Sequence, residues 1–149
     1  MCEAKGGDVV GSVPWVFYVG LSTKGGAMVL MSARATKVLK ADGWLVARTE
    51  QWVPAAGGGF RRDLWGWMDL MAIRNGSCVG IQACAMTDRA KHFRKMEESP
   101  RIIEAISQWV RCPGHRAEMW SFRMVKVKRG GKAQVWSHEV DDLKSILPT

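Results

Sequence analysis

A β-hairpin is predicted by the stretch Asp63-Leu-Trp-Gly-Trp-Met-Asp-Leu-Met-Ala-Ile-Arg-Asn-Gly-Ser-Cys-Val-Gly-Ile-Gln-Ala-Cys84. The strands are residues 63–74 and 78–84. Asn75-Gly76 supplies the turn, because both residue types tolerate the positive φ of a type I′ turn. Pairing outward from this turn puts Asp69 directly opposite Gln82, with Cβ atoms roughly 5 Å apart.

This carboxylate and amide share one face of a predicted sheet whose other positions are almost all apolar. Burying such a pair is costly unless a partner compensates for the lost hydration. A divalent metal ion is one such partner. Two alternatives stay open: Asp69 is a buried carboxylate paired with Arg48 or Arg62, and Gln82 satisfies backbone groups at a strand end.

Composition limits the possible classes of protein. The chain has 149 residues, 47% apolar residues and 8 tryptophans, which indicates one folded domain and excludes a disordered protein. The formal net charge of +8 favours nucleic acid as a partner, or serves solubility in general. No apolar run is long enough for a membrane span, and the four cysteines lack zinc spacing. We therefore expect a cytoplasmic protein with free thiols.

The order of predicted elements is that of a single α/β domain, with a central mixed sheet flanked by helices. Residues 1–28 are an N-terminal extension or edge strand, and the domain is residues 29–149. Turn, cap and periodicity signals predict a helix over 32–42 with Ser32 as cap, strand over 44–53, a flexible loop over 54–59, the hairpin, a basic helix from Thr87 or Asp88 to Met96, a helix from Ser99-Pro100 to Trp109, and strands over 118–128 and 133–140.

Four of these features together resemble the PD-(D/E)XK nuclease superfamily, in particular its Holliday-junction-resolvase-like and phage endonuclease branch. The resemblance covers residues 31–140 and implies a restriction-endonuclease-like αβββαβ core. The matching parts are the helix over 32–42, the strand ending Arg48-Thr-Glu-Gln-Trp52, the motif Arg62-Asp-Leu-Trp-Gly-Trp-Met-Asp69, and Val79-Gly-Ile-Gln-Ala-Cys84 before a basic helix.

The resemblance implies a metal site for Mg²⁺ (or Mn²⁺), a hard cation that prefers oxygen ligands. Asp69 fills the place of the family's motif aspartate, and Gln82 fills the place of its second acidic residue. The backbone carbonyl of Ala83 and the carboxylate of Glu50 would complete the ligands. Asp63 is a weaker candidate, because six positions of extended strand separate it from Asp69 by about 20 Å.

The family's motif usually ends in lysine, but Cys84 stands in that place here. A thiol supplies no positive charge to the scissile phosphate. A lysine of the following helix would substitute, and the resemblance favours Lys95 over Lys91. The residues expected to contact DNA phosphates are basic side chains of this helix and of the segment after the glycine loop: Arg61, Arg62, Arg89, Lys91, His92, Arg94 and Lys95.

The resulting hypothesis is a magnesium-dependent endonuclease that cuts branched or structured DNA, such as four-way junctions, as a homodimer in the cytoplasm of a bacterium or of a phage-infected host. A catalytically impaired DNA-binding protein that keeps the nuclease scaffold is the alternative, because Gln82 and Cys84 depart from the family pattern. A structural or interaction protein is the third. Most tryptophans are expected in the core, with one or two near residues 54–62 available to stack on bases.

Overall fold

A computed structural model describes residues 30–149, so the predicted extension or edge strand over residues 1–28 lies outside the described part. The helices and strands, in chain order, are α1 (Met31–Ala41), β1 (Leu45–Arg48), β2 (Gln51–Ala55), β3 (Gly58–Arg62), β4 (Leu70–Arg74), β5 (Ser77–Ala85), α2 (Arg89–Glu97), α3 (Pro100–Arg111), β6 (His115–Lys126) and β7 (Gln134–Asp142).

Five strands form one mixed sheet in the order β1-β4-β5-β6-β7, and β2 and β3 form a separate two-stranded ribbon. Strands β5 and β6 are parallel, and every other neighbouring pair is antiparallel. Helices α2 and α3 make the crossover that a parallel pair requires. The prediction of a single α/β domain with a central mixed sheet flanked by helices is confirmed. Within residues 30–149, no helix combines the length and apolarity needed to cross a membrane.

The two faces of the sheet are covered by different helices. Helix α1 packs on one face through Ala35 and Leu39, against strand residues that include Ile81. Helices α2 and α3 pack on the other face through residues that include Met96 and Ile106. Strand β5 is therefore buried on both faces, which explains its nearly continuous run of apolar side chains.

The Asn75-Gly76 turn forms as predicted. Both residues have positive φ, 49° and 76°, as a type I′ turn requires. The regular register runs from this turn to Leu70 opposite Ile81. Beyond it, the Asp69 N–H donates to the Ile81 carbonyl at 2.9 Å, one residue out of step with an Asp69–Gln82 backbone pair. The two side chains nevertheless meet as predicted, because the Gln82 amide N–H donates to the Asp69 carboxylate at 2.6 Å.

The predicted strand over residues 63–74 is wrong in its first half. The regular strand begins only at Leu70. Residues 63–69 form a compact turn in which the backbone N–H of Leu64 donates to the Met68 carbonyl and the backbone N–H of Met68 donates to the Leu64 carbonyl, both at 3.1 Å. Trp65 and Gly66 have positive φ, 55° and 81°, which reverses the chain.

Two further predictions change in detail. The predicted flexible loop over 54–59 is mostly the β2–β3 ribbon, in which Pro54 pairs with Gly59, so Arg61 and Arg62 lie on a strand. The predicted cap Ser32 lies inside α1, where Leu30 is the N-cap, and the Ser32 hydroxyl donates to Glu50 at 3.0 Å. The Ser99-Pro100 start of α3 is confirmed.

Gly80 tests the packing of the turn against the sheet. A Cβ at this position would lie 2.7 Å from the Trp67 ring and closer still to the Met68 methyl group, and both side chains are fully buried. Gly80→Ala should lower the free energy of unfolding by about 1–3 kcal/mol, measured by urea denaturation. Gly131→Ala, which meets only Lys128 at 3.2 Å, is the control and should cost clearly less. Equal stability of Gly80→Ala and wild type would contradict this packing.

Candidate metal centre

The Asp69 carboxylate is held at the end of β4 by two donors from β5. Its Oδ2 accepts the Gln82 side-chain N–H at 2.6 Å and the Ala83 backbone N–H at 2.9 Å. Asp69 is 5% exposed and Gln82 3% exposed, which is rare for an aspartate without a charged partner. The predicted meeting of the Asp69 and Gln82 side chains is therefore confirmed.

Two more carboxylates meet Asp69. One oxygen from each of Glu50, Asp63 and Asp69 lies within 4.8 Å of the others. Glu50 is brought there by the backbone, because the N–H groups of Thr49 and Glu50 both donate to the Asp69 carbonyl, at 2.8 and 3.3 Å. The Thr49 hydroxyl strengthens this junction by donating to the Met68 carbonyl at 2.7 Å.

Asp63 is the member of the cluster that sequence reasoning ranked too low. An extended strand would hold it about 20 Å from Asp69. The Leu64–Met68 turn instead folds the chain back and brings the two carboxylates together. The available signal was Gly66, since a glycine inside a strand pattern often marks a departure from regular structure.

The cations near the cluster bind its outer members. Glu50 accepts a salt bridge from Arg48 and a second from Arg61 at 3.3 Å. Lys95 Nζ lies 3.8 Å from Asp63 Oδ2. Within residues 30–149, no Arg or Lys lies within 4.0 Å of Asp69. The alternative in which an arginine pairs with Asp69 is therefore wrong.

This arrangement shifts the pKa values of Asp69 and Glu50 in opposite directions. Burial, then the neighbouring charge of Asp63, raises the pKa of Asp69 to about 8. Burial pushes the pKa of Glu50 in the same direction, but hydrogen bonds from Arg48 and Ser32 and the charge of Arg61 outweigh it and leave the pKa lowered. Asp69 is thus the carboxylate that most lacks a positive charge.

An orphaned oxygen lies beside Asp69. The Gln82 Oε1 is buried and has no hydrogen-bond partner among the described residues, although its Nε2 is bonded to Asp69. An unpaired buried acceptor is costly and calls for a ligand. Three carboxylates and an amide oxygen match the all-oxygen ligands that Mg²⁺ or Mn²⁺ prefers. The residues present therefore fit such an ion. The Ala83 carbonyl stays a predicted ligand.

The cluster lines a cavity of about 330 Å³ between α1, the sheet and α2. Cys84 and His92 line it as well. Cys84 Sγ lies 3.6 Å from the Ser121 hydroxyl, and burial raises the pKa of the thiol, so it stays neutral. Burial, followed by the charge of Lys95, lowers the pKa of His92. His92 was predicted on a DNA-facing surface and instead lies half-buried at the cavity.

The other predicted site residues lie around this cavity or farther away. Lys91 and Arg94 are exposed on α2. Arg89 is tied to Asp141 of β7, with Nε 2.8 Å from the carboxylate. Arg62 is exposed, and its guanidinium group donates a hydrogen bond to Gln51 Oε1 at 3.5 Å. Their role in binding DNA stays a prediction.

Comparison of the chain with models of protein families, with curated proteins and with solved structures finds no match.

The raised pKa of Asp69 predicts how the stability of the metal-free protein depends on pH. The folded-state value of about 8 lies above the ordinary value near 4, so the native state binds the extra proton. The stabilising effect of this bound proton on the folded state is complete below about pH 4 and is lost as the pH rises to about 8. The loss is on the order of 5 kcal/mol, since each pH unit is worth about 1.4 kcal/mol.

Asp69→Asn should remove most of this dependence and should be the more stable protein at pH 8 in EDTA, as measured by thermal or urea unfolding. Glu97→Gln, an exposed carboxylate of α2, is the matched control and should leave the pH profile unchanged. Parallel pH profiles for wild type and Asp69→Asn would show that Asp69 is not the buried, destabilising carboxylate.

Proposed function

We propose that this protein is a magnesium-dependent DNA endonuclease that hydrolyses phosphodiester bonds in branched or structured DNA. The observation that carries the proposal is the buried Asp69, paired with Gln82 and joined by the carboxylates of Glu50 and Asp63. Buried carboxylates that converge without enough positive charge are typical of metal-dependent active sites.

Asp69, Asp63 and Glu50 would hold the ion, with the Gln82 oxygen and the Ala83 carbonyl as further ligands. A bound Mg²⁺ supplies polarisation of the phosphate and activation of water. The protein holds its own part of the site in place through fixed hydrogen bonds. Asp69 keeps its orientation through Gln82 and Ala83, and Glu50 keeps its orientation through Ser32 and Arg48.

Lys95 would bring positive charge to the substrate phosphate. Its ammonium group lies beside Asp63, whereas Cys84, in the family's lysine place, is a neutral thiol bonded to Ser121. A lysine that reaches the cluster from α2 supports the proposal that Lys95 takes the role of the lysine that the family carries on the strand, at the position of Cys84. This role rests on proximity to Asp63 and on the resemblance together.

The exposed basic residues support a polyanionic substrate. Arg61, Arg62, Lys91 and Arg94 are exposed. They lie on the β2–β3 ribbon and on α2, two elements that contribute Arg61 and His92 to the lining of the carboxylate cavity. Positive side chains attract a phosphate backbone and fix its register. A homodimer, a four-way-junction substrate and a cytoplasmic location are parts of the proposal that come from the resemblance and the composition.

A catalytically impaired DNA-binding protein is the second candidate. Gln82 replaces a carboxylate, so the site carries one negative charge fewer than the family pattern. Arg48 and Arg61 already neutralise Glu50. Both features weaken metal binding. Binding of junction DNA without cutting in any metal would favour this candidate.

The test is cleavage of four-way-junction and linear duplex DNA with Mg²⁺, Mn²⁺ or EDTA. We expect metal-dependent cutting that Asp69→Asn and Asp63→Asn each reduce by at least about 100-fold, because each removes a metal ligand. Both variants should keep their fold, measured by circular dichroism. Cutting that persists in EDTA, or in Asp69→Asn, would contradict the proposal. If the protein shows no DNA affinity that falls with rising salt, only a structural or interaction protein remains.

Lys95 and Lys91 provide a matched pair on one helix. Lys95→Ala should lower the single-turnover rate constant of cleavage by about 100-fold, because Lys95 lies next to the cluster, and Lys91→Ala should change it less than about threefold. Single-turnover cleavage measures both. Equal, mild effects of the two substitutions would exclude Lys95 as the substitute for the missing lysine.

A further inference from the structure

A second depression opens beside the carboxylate cavity and is called the Trp65 groove below. It encloses about 600 Å³, and its lining includes Thr49, Gln51, Arg62, Asp63, Trp65 and Arg101. Asp63 lines the groove and the carboxylate cavity at once. The two depressions therefore adjoin at Asp63, so a chain molecule that lies at the carboxylates has the Trp65 groove next to it.

Trp65 is held at the wall of the groove in an unfavourable backbone conformation. Its φ is 55°, in the left-handed region that bulky side chains rarely adopt. Its ring packs against the buried Trp109, with ring centroids 6.0 Å apart, and the residue stays 43% exposed. The Trp109 contact fixes the position of the ring, and backbone strain of this kind clusters at functional positions. A fixed aromatic ring that is partly exposed at a strained turn is suited to stack on a ligand.

The groove is also positively charged at its rim. Arg62 and Arg101 are exposed, and neither forms a salt bridge within residues 30–149. Arg48 and Arg61, by contrast, are bound to Glu50 at the neighbouring cavity. Two guanidinium groups without a carboxylate partner among these residues, beside an aromatic face, suit a phosphate next to a base.

We propose that the Trp65 groove binds one unpaired nucleotide of the DNA strand that is cut. The base stacks on Trp65, and Arg62 and Arg101 hold the adjoining phosphate. A base within a duplex cannot present its face to a side chain, so the groove selects DNA with an unpaired nucleotide next to the scissile phosphate. This inference rests on the proposed function, because it defines the structural feature of the DNA that the same site accepts.

The test is the affinity for short labelled oligonucleotides, measured by fluorescence anisotropy in EDTA so that no strand is cut. Trp65→Asn removes the stacking face while keeping a residue type that tolerates positive φ. It should weaken binding of single-stranded DNA by about tenfold and binding of a matched duplex by less than twofold. Trp65→Phe should retain most of the single-strand affinity, because a phenyl ring still stacks.

Two controls separate the groove from general changes. Trp52→Thr removes another exposed tryptophan, on the β2–β3 ribbon, and should leave the preference for single strands unchanged. Arg101→Gln should weaken single-strand binding severalfold. Arg111→Gln, at the far end of α3, should have a smaller effect.

The inference would be overturned if Trp65→Asn bound single-stranded DNA as tightly as wild type does. It would also be overturned if the substitution weakened binding of duplex and of single-stranded DNA equally. If the protein does not cut DNA with any metal ion, that result counts against the proposed function. The single-strand affinity measured in EDTA tests the Trp65 groove independently of that result.

Discussion

The structure depends on one unfavourable constraint, which is the burial of the Asp69 carboxylate with no Arg or Lys of residues 30–149 beside it. Two N–H groups from β5 hold it, and Asp63 and Glu50 add negative charge nearby. A group placed in this way costs folding free energy that the rest of the domain must offset. Such a cost is expected at a site whose residues serve to bind an ion or a substrate and do not serve to stabilise the fold.

The rest of the domain keeps this carboxylate in place. The end of the β4–β5 hairpin brings the Asp69 side chain to that of Gln82, and the junction with β1 adds Glu50 through backbone hydrogen bonds. The turn after β3 adds Asp63, and α2 adds Lys95 at the outer edge. Four separate segments therefore converge on one point, between the layer of α1 and the layer of α2 and α3.

The part of this site that follows from the sequence is the part determined by local chemistry. Asn75-Gly76 specifies a two-residue turn, and pairing outward from it locates Asp69 and Gln82 without tertiary information. Asp63 could not be placed in this way, because its position depends on a turn at Gly66 that packs against the Ile102 side chain of α3. A pattern of strand residues cannot reveal a contact that forms only when a distant helix is present.

An anomalous difference map from a crystal of the protein soaked in Mn²⁺ would show directly whether the three carboxylates hold a metal ion. We expect a single peak between the carboxylates of Glu50, Asp63 and Asp69, at about 2.0–2.3 Å from Asp69, with the Gln82 oxygen turned toward it. A map without density at this position under saturating Mn²⁺, or with the ion bound only elsewhere, would contradict the metal centre and the nuclease proposal built on it.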